Sequence, residues 1–452
     1  MEITMAKTHE MDLCEGSLWK KILIFSIPLM FSNILQVLFN MSDVAVVGKF
    51  AGPIALGAVG STSILVTLFT GLLIGLASGV NALTALYIGS KSEKDVRETV
   101  HTAAILCLSA GVLICVLGIL FTRPVLTLMH TKEELIDGAV LYLRLYLLGM
   151  PALAVFNFGN AVLSAIGDTR RPLYYLSMAG VINVILNLFF VIVCKMDVAG
   201  VAVASITSQY ISAALVLRLL FTTKENYGLK PSCLKISPEK TGRILQIGIP
   251  SAFQYAIFAI ANLFVQTGVN SFDHVMVEGN SAAANADPLV YDMMAAFYTA
   301  CASFIAQNYG AQKKDRIRNS FLICLLYSFT AGLILGVSLY LLGHPFLSLF
   351  TSDAAVIAAG KKRLSIMALS YCVSAFMDNT IAASRGLGKT ILPTIIVILG
   401  SCVFRIIWVY TVFAYFHTIQ SLYLLYVFSW GITAIAEFAC FIHIYRRLQI
   451  RQ

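Results

Sequence analysis

Residues 22–47 read ILIFSIPLMFSNILQVLFNMSDVAVV. A transmembrane helix needs about 20 consecutive apolar residues, and this stretch is long enough to supply them. It also carries four polar residues that are spaced by 3, 4 and 3 positions and therefore share one helix face: Asn33, Gln36, Asn40 and Asp43. A carboxylate near the centre of a membrane helix costs roughly 2.5–3.5 kcal/mol. The stretch therefore predicts a membrane helix with one polar face.

Two roles are open for this polar face. It can pack against neighbouring helices through hydrogen bonds. Alternatively, it can line a wet cavity in which Asp43 binds a cation or a proton. Because an ionisable residue inside a membrane helix usually marks a functional site, we expect the second role. Asn33, Gln36 and Asn40 are then candidates for the wall of a substrate cavity.

The composition supports a membrane protein. Of the 452 residues, 58% are hydrophobic and 12% are charged, whereas soluble chains carry about 25% charged residues. The mean hydropathy is +0.83. The sequence shows no signal peptide, Walker A loop, GxSxG motif or HExxH motif. We therefore expect no enzyme, and no cofactor apart from a coupling ion.

Twelve apolar segments have spanning length, which predicts an all-α integral membrane protein with two six-helix lobes. The segments are 20–47, 56–88, 99–121, 139–166, 172–195, 198–222, 243–268, 287–309, 317–343, 362–384, 391–416 and 420–445. The eighth and tenth are rich in Ala, Ser and Tyr and only weakly apolar. We expect these two helices to lie in the interior or to face a cavity, rather than to face lipid.

The basic residues predict the orientation. With these spans, 22 Lys and Arg fall on one side of the membrane and 7 on the other. Because basic residues are enriched in cytoplasmic loops, both termini are predicted to be cytoplasmic. The net charge of +9 then reflects topology and contact with lipid headgroups. We expect no nucleic-acid partner and no obligate protein partner.

The two halves of the chain repeat. GIP at 248–250 follows SIP at 26–28 after 222 positions, and GKT at 388–390 follows GDT at 167–169 after 221. An even number of spans in each half predicts a parallel repeat that suits alternating access. The predicted lobes are 1–222 and 242–452. A polar linker, residues 223–241, joins them.

The two halves are chemically unequal. The repeat places Val265 opposite Asp43, so the ion chemistry is expected in the first half. The seventh segment nevertheless keeps a polar face, which makes three further residues candidates for the substrate cavity: Tyr255, Asn262 and Gln266.

Further polar side chains occur in the fifth and sixth segments. Asn183 and Asn187 are four residues apart and share a helix face, and Ser205 lies in the next segment. One carboxylate with neutral amide and hydroxyl oxygens suits Na⁺, a hard cation that prefers oxygen ligands. The same carboxylate could carry a proton instead. The amides could also simply bond to neighbouring helices.

The second half has its own intramembrane charges. Asp292 and Asp378 are candidates for the substrate cavity, and Glu437 lies nearer the end of the last segment. Arg405 lies inside the eleventh segment, where an uncompensated charge is costly. We expect Arg405 to pair with one of these acids rather than to contact the substrate directly.

The chain resembles the multidrug and toxic compound extrusion (MATE) family, in its bacterial DinF-like and MepA-like branches. The order and spacing of several motifs over nearly the whole chain carry the resemblance. They are Pro28 with NMSDVAVVG (40–48), AIGDTRRP (165–172), GVAVAS (200–205), QNYGAQKKDRIR (307–318) and SRGLGKT (384–390). The resemblance implies two six-helix lobes that export organic cations and drugs in exchange for Na⁺ or H⁺.

Individual residues can be compared with the family pattern. Asp43 matches the family's acid on the first helix, and Asn183 matches its fifth-helix Asn. Asn187 stands where many relatives have Asp, and Ser205 stands where relatives often have Thr. The resemblance thus implies a coupling site, with Na⁺ or H⁺, at Asp43, Asn183, Asn187 and Ser205. Phe258 stands where another branch has Glu, which argues against a coupling site in the second lobe.

These observations predict a secondary antiporter that exports amphipathic, mostly cationic compounds from the bacterial plasma membrane. The alternative is a flippase of the same superfamily for lipid-linked oligosaccharides or peptidoglycan precursors. Such flippases often have about 14 spans and several cavity arginines. This chain has twelve predicted spans, and only three arginines lie more than two residues inside the end of a span: Arg144, Arg218 and Arg405.

Overall fold

The computed structural model describes residues 10–448, and every regular element within them is a helix. The first half holds α1 (Leu18–Val46), α2 (Gly52–Gly89), α3 (Glu93–Leu128), α4 (Glu133–Leu147), α5 (Met150–Ala165), α6 (Arg170–Leu188) and α7 (Asp197–Thr222). The second half holds α8 (Pro238–Val269), α9 (His274–Ala284), α10 (Ala286–Gly310), α11 (Lys314–Leu341), α12 (Gly343–Ser348), α13 (Ala354–Gly386), α14 (Ile391–Val397), α15 (Phe404–Trp408), α16 (Ala414–Phe416) and α17 (Ile419–Arg446).

Some helical stretches depart from α geometry. A short 3₁₀ turn, Pro231–Cys233, lies between α7 and α8. Four stretches are π-helical and continue neighbouring α-helices: Val47–Ala51, Phe189–Val193, Ile398–Val403 and Val409–Phe413. π-Helical turns are rare in proteins and occur often at functional sites.

The described chain has twelve membrane spans. Ten helical stretches within residues 10–448 are long and apolar enough to cross a bilayer, and α4 with α5, bent by 44°, forms an eleventh. The first stretch, Leu18–Gly89, has 72 residues, whereas a bilayer core of roughly 30 Å needs about 20. It breaks at Gly52, whose φ of 89° favours glycine, so it contains two spans. The predicted twelve-helix fold is confirmed.

Two compact units make up the described chain. One contains residues 10–12 and Phe31–Ala252, and the other contains Leu13–Met30 and residues 253–448. The linker at 223–241 thus belongs to the first unit. The lobes predicted from the repeat have different boundaries from these units, and they stay a prediction.

The unit boundaries fall inside two helices that the repeat makes equivalent. Helix α1 changes unit after Met30, and α8 changes unit after Ala252. Each helix contains a proline two residues before this point, Pro28 in α1 and Pro250 in α8. Proline lacks the backbone N–H and therefore weakens the helix there.

Apolar side chains form the core of each unit. In the first unit, Leu147 lies in a core built from α2, α4 and α5, while Val216 lies in a second core built from α2, α3, α5 and α7. In the second unit, Tyr371 and Tyr423 are fully buried in a core built from α10, α13 and α17.

The two weakly apolar segments are interior helices, as predicted. In their most apolar windows, 61% of the α9–α10 stretch and 72% of α13 are buried, against 11% for α3. Gly336 of α11 packs against the main-chain carbonyl of Ala368 in α13, where a Cβ atom would collide. Small residues allow such close helix approach in membranes.

The QNYGAQKKDRIR motif fixes residues 13–16, which precede α1, within the second unit. Lys313 Nζ donates to Cys14 O at 3.0 Å, and Asn308 Nδ2 donates to the carbonyl oxygen of residue 13 at 3.2 Å. The Arg316 guanidinium also donates to Leu13 O, and to two more main-chain oxygens in this segment, Glu15 O and Gly16 O, all at 3.0–3.2 Å. We call this set, Asn308, Lys313 and Arg316, the carbonyl clamp.

Candidate functional site

Four polar side chains from three helices form a hydrogen-bonded cluster in the first unit. Ser205 Oγ donates to Asp43 Oδ2 at 3.0 Å, and Asn187 Nδ2 donates to Asp43 Oδ1. Asn187 Nδ2 also lies 3.2 Å from Asn183 Oδ1, and Asn183 Nδ2 donates to Ser205 Oγ at 3.4 Å. The structure thus brings together all four residues of the predicted coupling site, which we call the Asp43 cluster.

Close packing of α6 on α1 positions this cluster. Gly180 lies one turn before Asn183, and a Cβ atom there would collide with the ring of Phe39, one turn before Asp43. The absence of a side chain at Gly180 therefore lets the two helices approach. The two π-helical stretches Val47–Ala51 and Phe189–Val193 begin just after Asp43 and Asn187. Both helices thus change geometry next to the cluster.

Only neutral groups donate to the Asp43 carboxylate. Among residues 10–448, no Lys, Arg or His nitrogen lies within 4.0 Å of it. Asp43 itself is half-buried, while Asn183, Asn187 and Ser205 are buried. A half-buried carboxylate with no basic partner is available to a mobile cation or proton.

Asn187 leaves one oxygen without a partner. Asn187 Oδ1 is buried and accepts no hydrogen bond within the described chain. An unsatisfied buried acceptor costs about 1–3 kcal/mol. Carboxylate, amide and hydroxyl oxygens are the ligands that a hard cation such as Na⁺ prefers. The residues present therefore fit a Na⁺ ion, which the Asp43 carboxylate and Asn187 Oδ1 would hold with Asn183 and Ser205 beside them.

The remaining predicted residues of α1 lie outside the cluster. Gln36 and Asn40 are exposed, and Asn33 is half-buried. No hydrogen bond joins Gln36 or Asn40 to the cluster. The helical spacing is as predicted, and Asp43 bonds to Asn187 on α6 and to Ser205 on α7.

The predicted cavity residues of the second unit do not form one cluster. On α8, Tyr255 and Asn262 are exposed, and Gln266 Nε2 donates to Asn270 Oδ1 at 2.8 Å. Asp292 on α10 and Asp378 on α13 are half-buried. Their role as cavity residues stays a prediction.

The expected ion pair of Arg405 is wrong. Within the described chain no carboxylate oxygen lies within 4.0 Å of its guanidinium. Arg405 Nη1 instead donates to Asn262 Oδ1 at 2.9 Å, and Arg405 Nε donates to Ser429 Oγ at 3.4 Å. The guanidinium carbon also lies 4.6–5.8 Å from the centroids of three aromatic rings: Phe258, Tyr426 and Trp430. Neutral and aromatic partners take the place of an acid.

Two arrangements had no signal strong enough to be predicted from the sequence. Tyr142 and Tyr146 of α4 stack at 5.9 Å and interact electrostatically with Asp43. Their spacing of four residues was the one available hint. In the second unit, buried Arg363 pairs with Asp287 at 2.5 Å, a pairing that the sequence did not predict.

The described chain has twelve membrane-spanning helices and an internal repeat. Among its residues, only neutral side chains donate hydrogen bonds to the Asp43 carboxylate. Together these features define a multi-pass membrane transporter. A family model described as MatE matches the chain twice, at residues 28–189 and 250–411. The chain belongs to this family, whose members are transporters and not enzymes. The two matches lie 222 residues apart at both ends, which confirms the internal repeat.

Similar proteins extend over most of the chain. "Probable multidrug resistance protein YpnP" from Bacillus subtilis is 27% identical over 80% of each chain. "Probable multidrug resistance protein YoeA" from the same organism is 26% identical over 84% of each. A solved MOP superfamily transporter from Pyrococcus furiosus matches with a TM-score of 0.91 and 22% identity, over 96% of this chain and 97% of that one. The last likeness shows that the fold is shared.

Proposed function

We propose that this chain is a secondary antiporter that exports amphipathic, mostly cationic organic compounds in exchange for Na⁺ or H⁺. Its membership of the MatE family and the multidrug-resistance names of its relatives support this cargo. The same names favour export over the flippase alternative. No cofactor beyond the coupling ion is part of the proposal.

One observation carries the proposal. Among residues 10–448, only Asn187 and Ser205 donate to the Asp43 carboxylate, and the buried Asn187 Oδ1 beside it has no hydrogen-bond partner. A carboxylate paired permanently with Lys or Arg could not exchange a cation during transport. Neutral donors orient Asp43 without neutralising it, so its negative charge remains available to Na⁺ or H⁺.

Coupling requires that the ion distinguish two conformations. An ion that binds both equally well shifts no equilibrium, however tightly it binds. The Asp43 cluster joins α1, α6 and α7, so a small displacement of one helix changes the number of oxygens around a bound ion. Ion binding there would favour one arrangement of these helices and so lower the affinity for the compound.

The same proposal assigns the other polar residues and the location. In each unit, polar side chains that lie outside the Asp43 cluster would contact the exported compound: Asn33, Gln36 and Asn40, and Tyr255, Asn262, Gln266, Asp292 and Asp378. The bacterial origin of the relatives supports a plasma-membrane location. The distribution of Lys and Arg supports cytoplasmic termini.

Efflux from proteoliposomes tests the proposal. Ethidium efflux would be measured with a Na⁺ gradient and a pH gradient imposed separately. We expect one gradient to drive efflux by the wild type but not by Asp43→Asn. Asp137→Asn is the matched control, because Asp137 is highly exposed and pairs with exposed Arg123 at 3.3 Å. Gradient-driven efflux by Asp43→Asn at the wild-type rate would refute the proposal.

A further inference from the structure

Arg405 is a buried charge of the second unit. It is 2% exposed, lies within a membrane span, and has no acidic partner within 4.0 Å in the described chain. Its Nη1 and Nε have the neutral partners Asn262 and Ser429, while Nη2 makes no hydrogen bond with any described residue. No acid within 4.0 Å in the described chain therefore offsets the charge of this buried guanidinium, and its Nη2 group is available to donate a hydrogen bond to a ligand.

The repeat places this arginine in the counterpart of the Asp43 cluster. A shift of 222 carries α1, α6 and α7 onto α8, α14–α16 and α17. It also carries Asn183 onto Arg405 and Asn40 onto Asn262. The first unit thus holds a carboxylate among these three helices, and the second unit holds a guanidinium. The electrostatic preference of the second site is reversed, so it favours an anion.

The backbone around Arg405 is also unusual. Helix α15, which carries Arg405, lies between the π-helical stretches Ile398–Val403 and Val409–Phe413. In the first unit, two π-helical stretches also lie near the Asp43 cluster, but they follow two different helices, α1 and α6. Because π-helical turns concentrate at functional sites, this is a second and independent indication that Arg405 has a role in binding.

One face of α8 lies next to the guanidinium. Tyr255, Phe258 and Asn262 are spaced by three and four residues and share that face. Tyr255 and Asn262 are exposed and Phe258 is half-buried, whereas Tyr426 and Trp430 of α17 are buried. The guanidinium is therefore closed on the α17 side, and a ligand would approach it along α8.

We propose that Arg405 and Asn262 form a substrate subsite that binds the carboxylate of an aromatic amphipathic compound. The carboxylate would accept a charge-assisted hydrogen bond from Arg405 Nη2, and such bonds are roughly twice as strong as neutral ones. The ring of Phe258 would pack against the aromatic part of the compound. This inference rests on the proposed function and deepens it: it assigns the residues that recognise the carboxylate of an exported compound.

A purely structural role for Arg405 makes different predictions. Arg405 acts electrostatically on Asp378, although the two form no ion pair. If Asp378 neutralised Arg405 at a distance and Arg405 merely stabilised the unit, replacing Arg405 would weaken the binding of every ligand equally. If Arg405 instead forms a subsite for carboxylates, replacing it weakens the binding of only those ligands that carry a carboxylate.

Two dyes with the same ring system separate these roles. Rhodamine 110 has a free carboxylate, and rhodamine 123 is its methyl ester. Their binding to purified protein would be measured by fluorescence anisotropy at equilibrium, without an ion gradient. For Arg405→Gln we expect the Kd of rhodamine 110 to rise by about tenfold or more and that of rhodamine 123 to change less than about threefold. Retained ester binding also shows that the variant is folded.

Matched variants complete the experiment. Arg144→Gln removes an exposed arginine from another span, and we expect neither Kd to change. Arg405→Lys keeps the charge and is expected to bind rhodamine 110 more tightly than Arg405→Gln does. Equal weakening of both dyes in Arg405→Gln, an unchanged Kd for rhodamine 110, or no binding of this dye by the wild type would each overturn the subsite. Because no gradient is involved, these results are independent of ion coupling at Asp43.

Discussion

Asn187 donates its side-chain amide to the carboxylate of Asp43, yet its own carbonyl oxygen is buried and accepts no hydrogen bond. The two residues thus present negative and partially negative oxygens next to each other, with no basic group within 4.0 Å of Asp43 in the described chain. A cation bound by both would relieve the cost of the unsatisfied acceptor. This relationship explains why the ion is assigned to the first unit.

Replacing Asn187 by Asp tests this relationship. The variant places a second carboxylate beside Asp43, which increases the negative charge around a bound ion without a large change of volume. We expect the concentration of the coupling ion, Na⁺ or H⁺, that half-displaces bound ethidium to fall by about tenfold, which corresponds to about 1.4 kcal/mol. The measurement is an ethidium-binding titration in which NaCl and pH are varied separately at constant ionic strength. An unchanged or raised half-displacing concentration would show that Asn187 is remote from the ion.

Ser205 should matter through its hydroxyl group. Ser205→Ala removes the 3.0 Å hydrogen bond to Asp43, and bonds to charged groups contribute roughly 1.5–3 kcal/mol. We expect this variant to weaken the response of ethidium binding to Na⁺ or pH by about tenfold, and Ser205→Thr to retain it. Ser208→Ala is the control, because Ser208 Oγ bonds only to the main-chain oxygen of Ser205 at 2.8 Å. Similar losses in Ser205→Ala and Ser208→Ala would argue for general damage to α7.

Much of the fold and of the first site follows from local sequence. Apolar segment lengths gave the twelve spans, since a bilayer demands about 20 apolar residues per helix. The spacing of Asn183 and Asn187 gave a common helix face, and the structure joins that face to Asp43 and Ser205. These features depend on helix geometry, which the sequence encodes directly.

In the second unit, local sequence did not predict the partners of the buried charges. The acid expected beside Arg405 is replaced by Asn262, Ser429 and aromatic rings, because packing between distant helices selects the partner. The pairing of Arg363 with Asp287 could not be predicted from the sequence, because it too depends on packing between distant helices. The sequence indicates that a buried charge needs a partner, but only the tertiary structure shows which residue is that partner.

We expect the carbonyl clamp to restrain residues 13–16, the segment that precedes α1. Arg316→Ala removes the hydrogen bonds to the carbonyl groups of residues 13, 15 and 16. Since Cys14 is half-buried within this segment, we expect its alkylation by N-ethylmaleimide to accelerate by about tenfold. Peptide mass spectrometry reports the modification at Cys14 alone.

A neighbouring arginine supplies the control for the clamp. The Arg318 side chain is largely exposed and lies 3.8 Å from exposed Asp315, so Arg318→Ala should leave the alkylation of Cys14 unchanged. Equal rates for wild type and Arg316→Ala would mean that the clamp does not restrain the segment.

The ion pair between Arg363 and Asp287 should contribute to stability. Asp287→Asn would leave the buried guanidinium without its acid, and breaking a buried pair costs about 3–5 kcal/mol. We expect the midpoint of thermal unfolding in detergent to fall by several degrees. Asp137→Asn breaks an exposed pair and should change it little, because such pairs contribute at most about 1 kcal/mol. Equal midpoints for Asp287→Asn and wild type would contradict a stabilising role.

Competition between the ion and the compound tests the central claim most directly. Equilibrium binding of ethidium to purified wild type and Asp43→Asn would be measured while Na⁺ and pH are varied separately at constant ionic strength. We predict that one of the two ions displaces ethidium from the wild type by at least about tenfold in Kd, and that Asp43→Asn still binds ethidium but no longer responds. The same response in both proteins would contradict an ion site at Asp43.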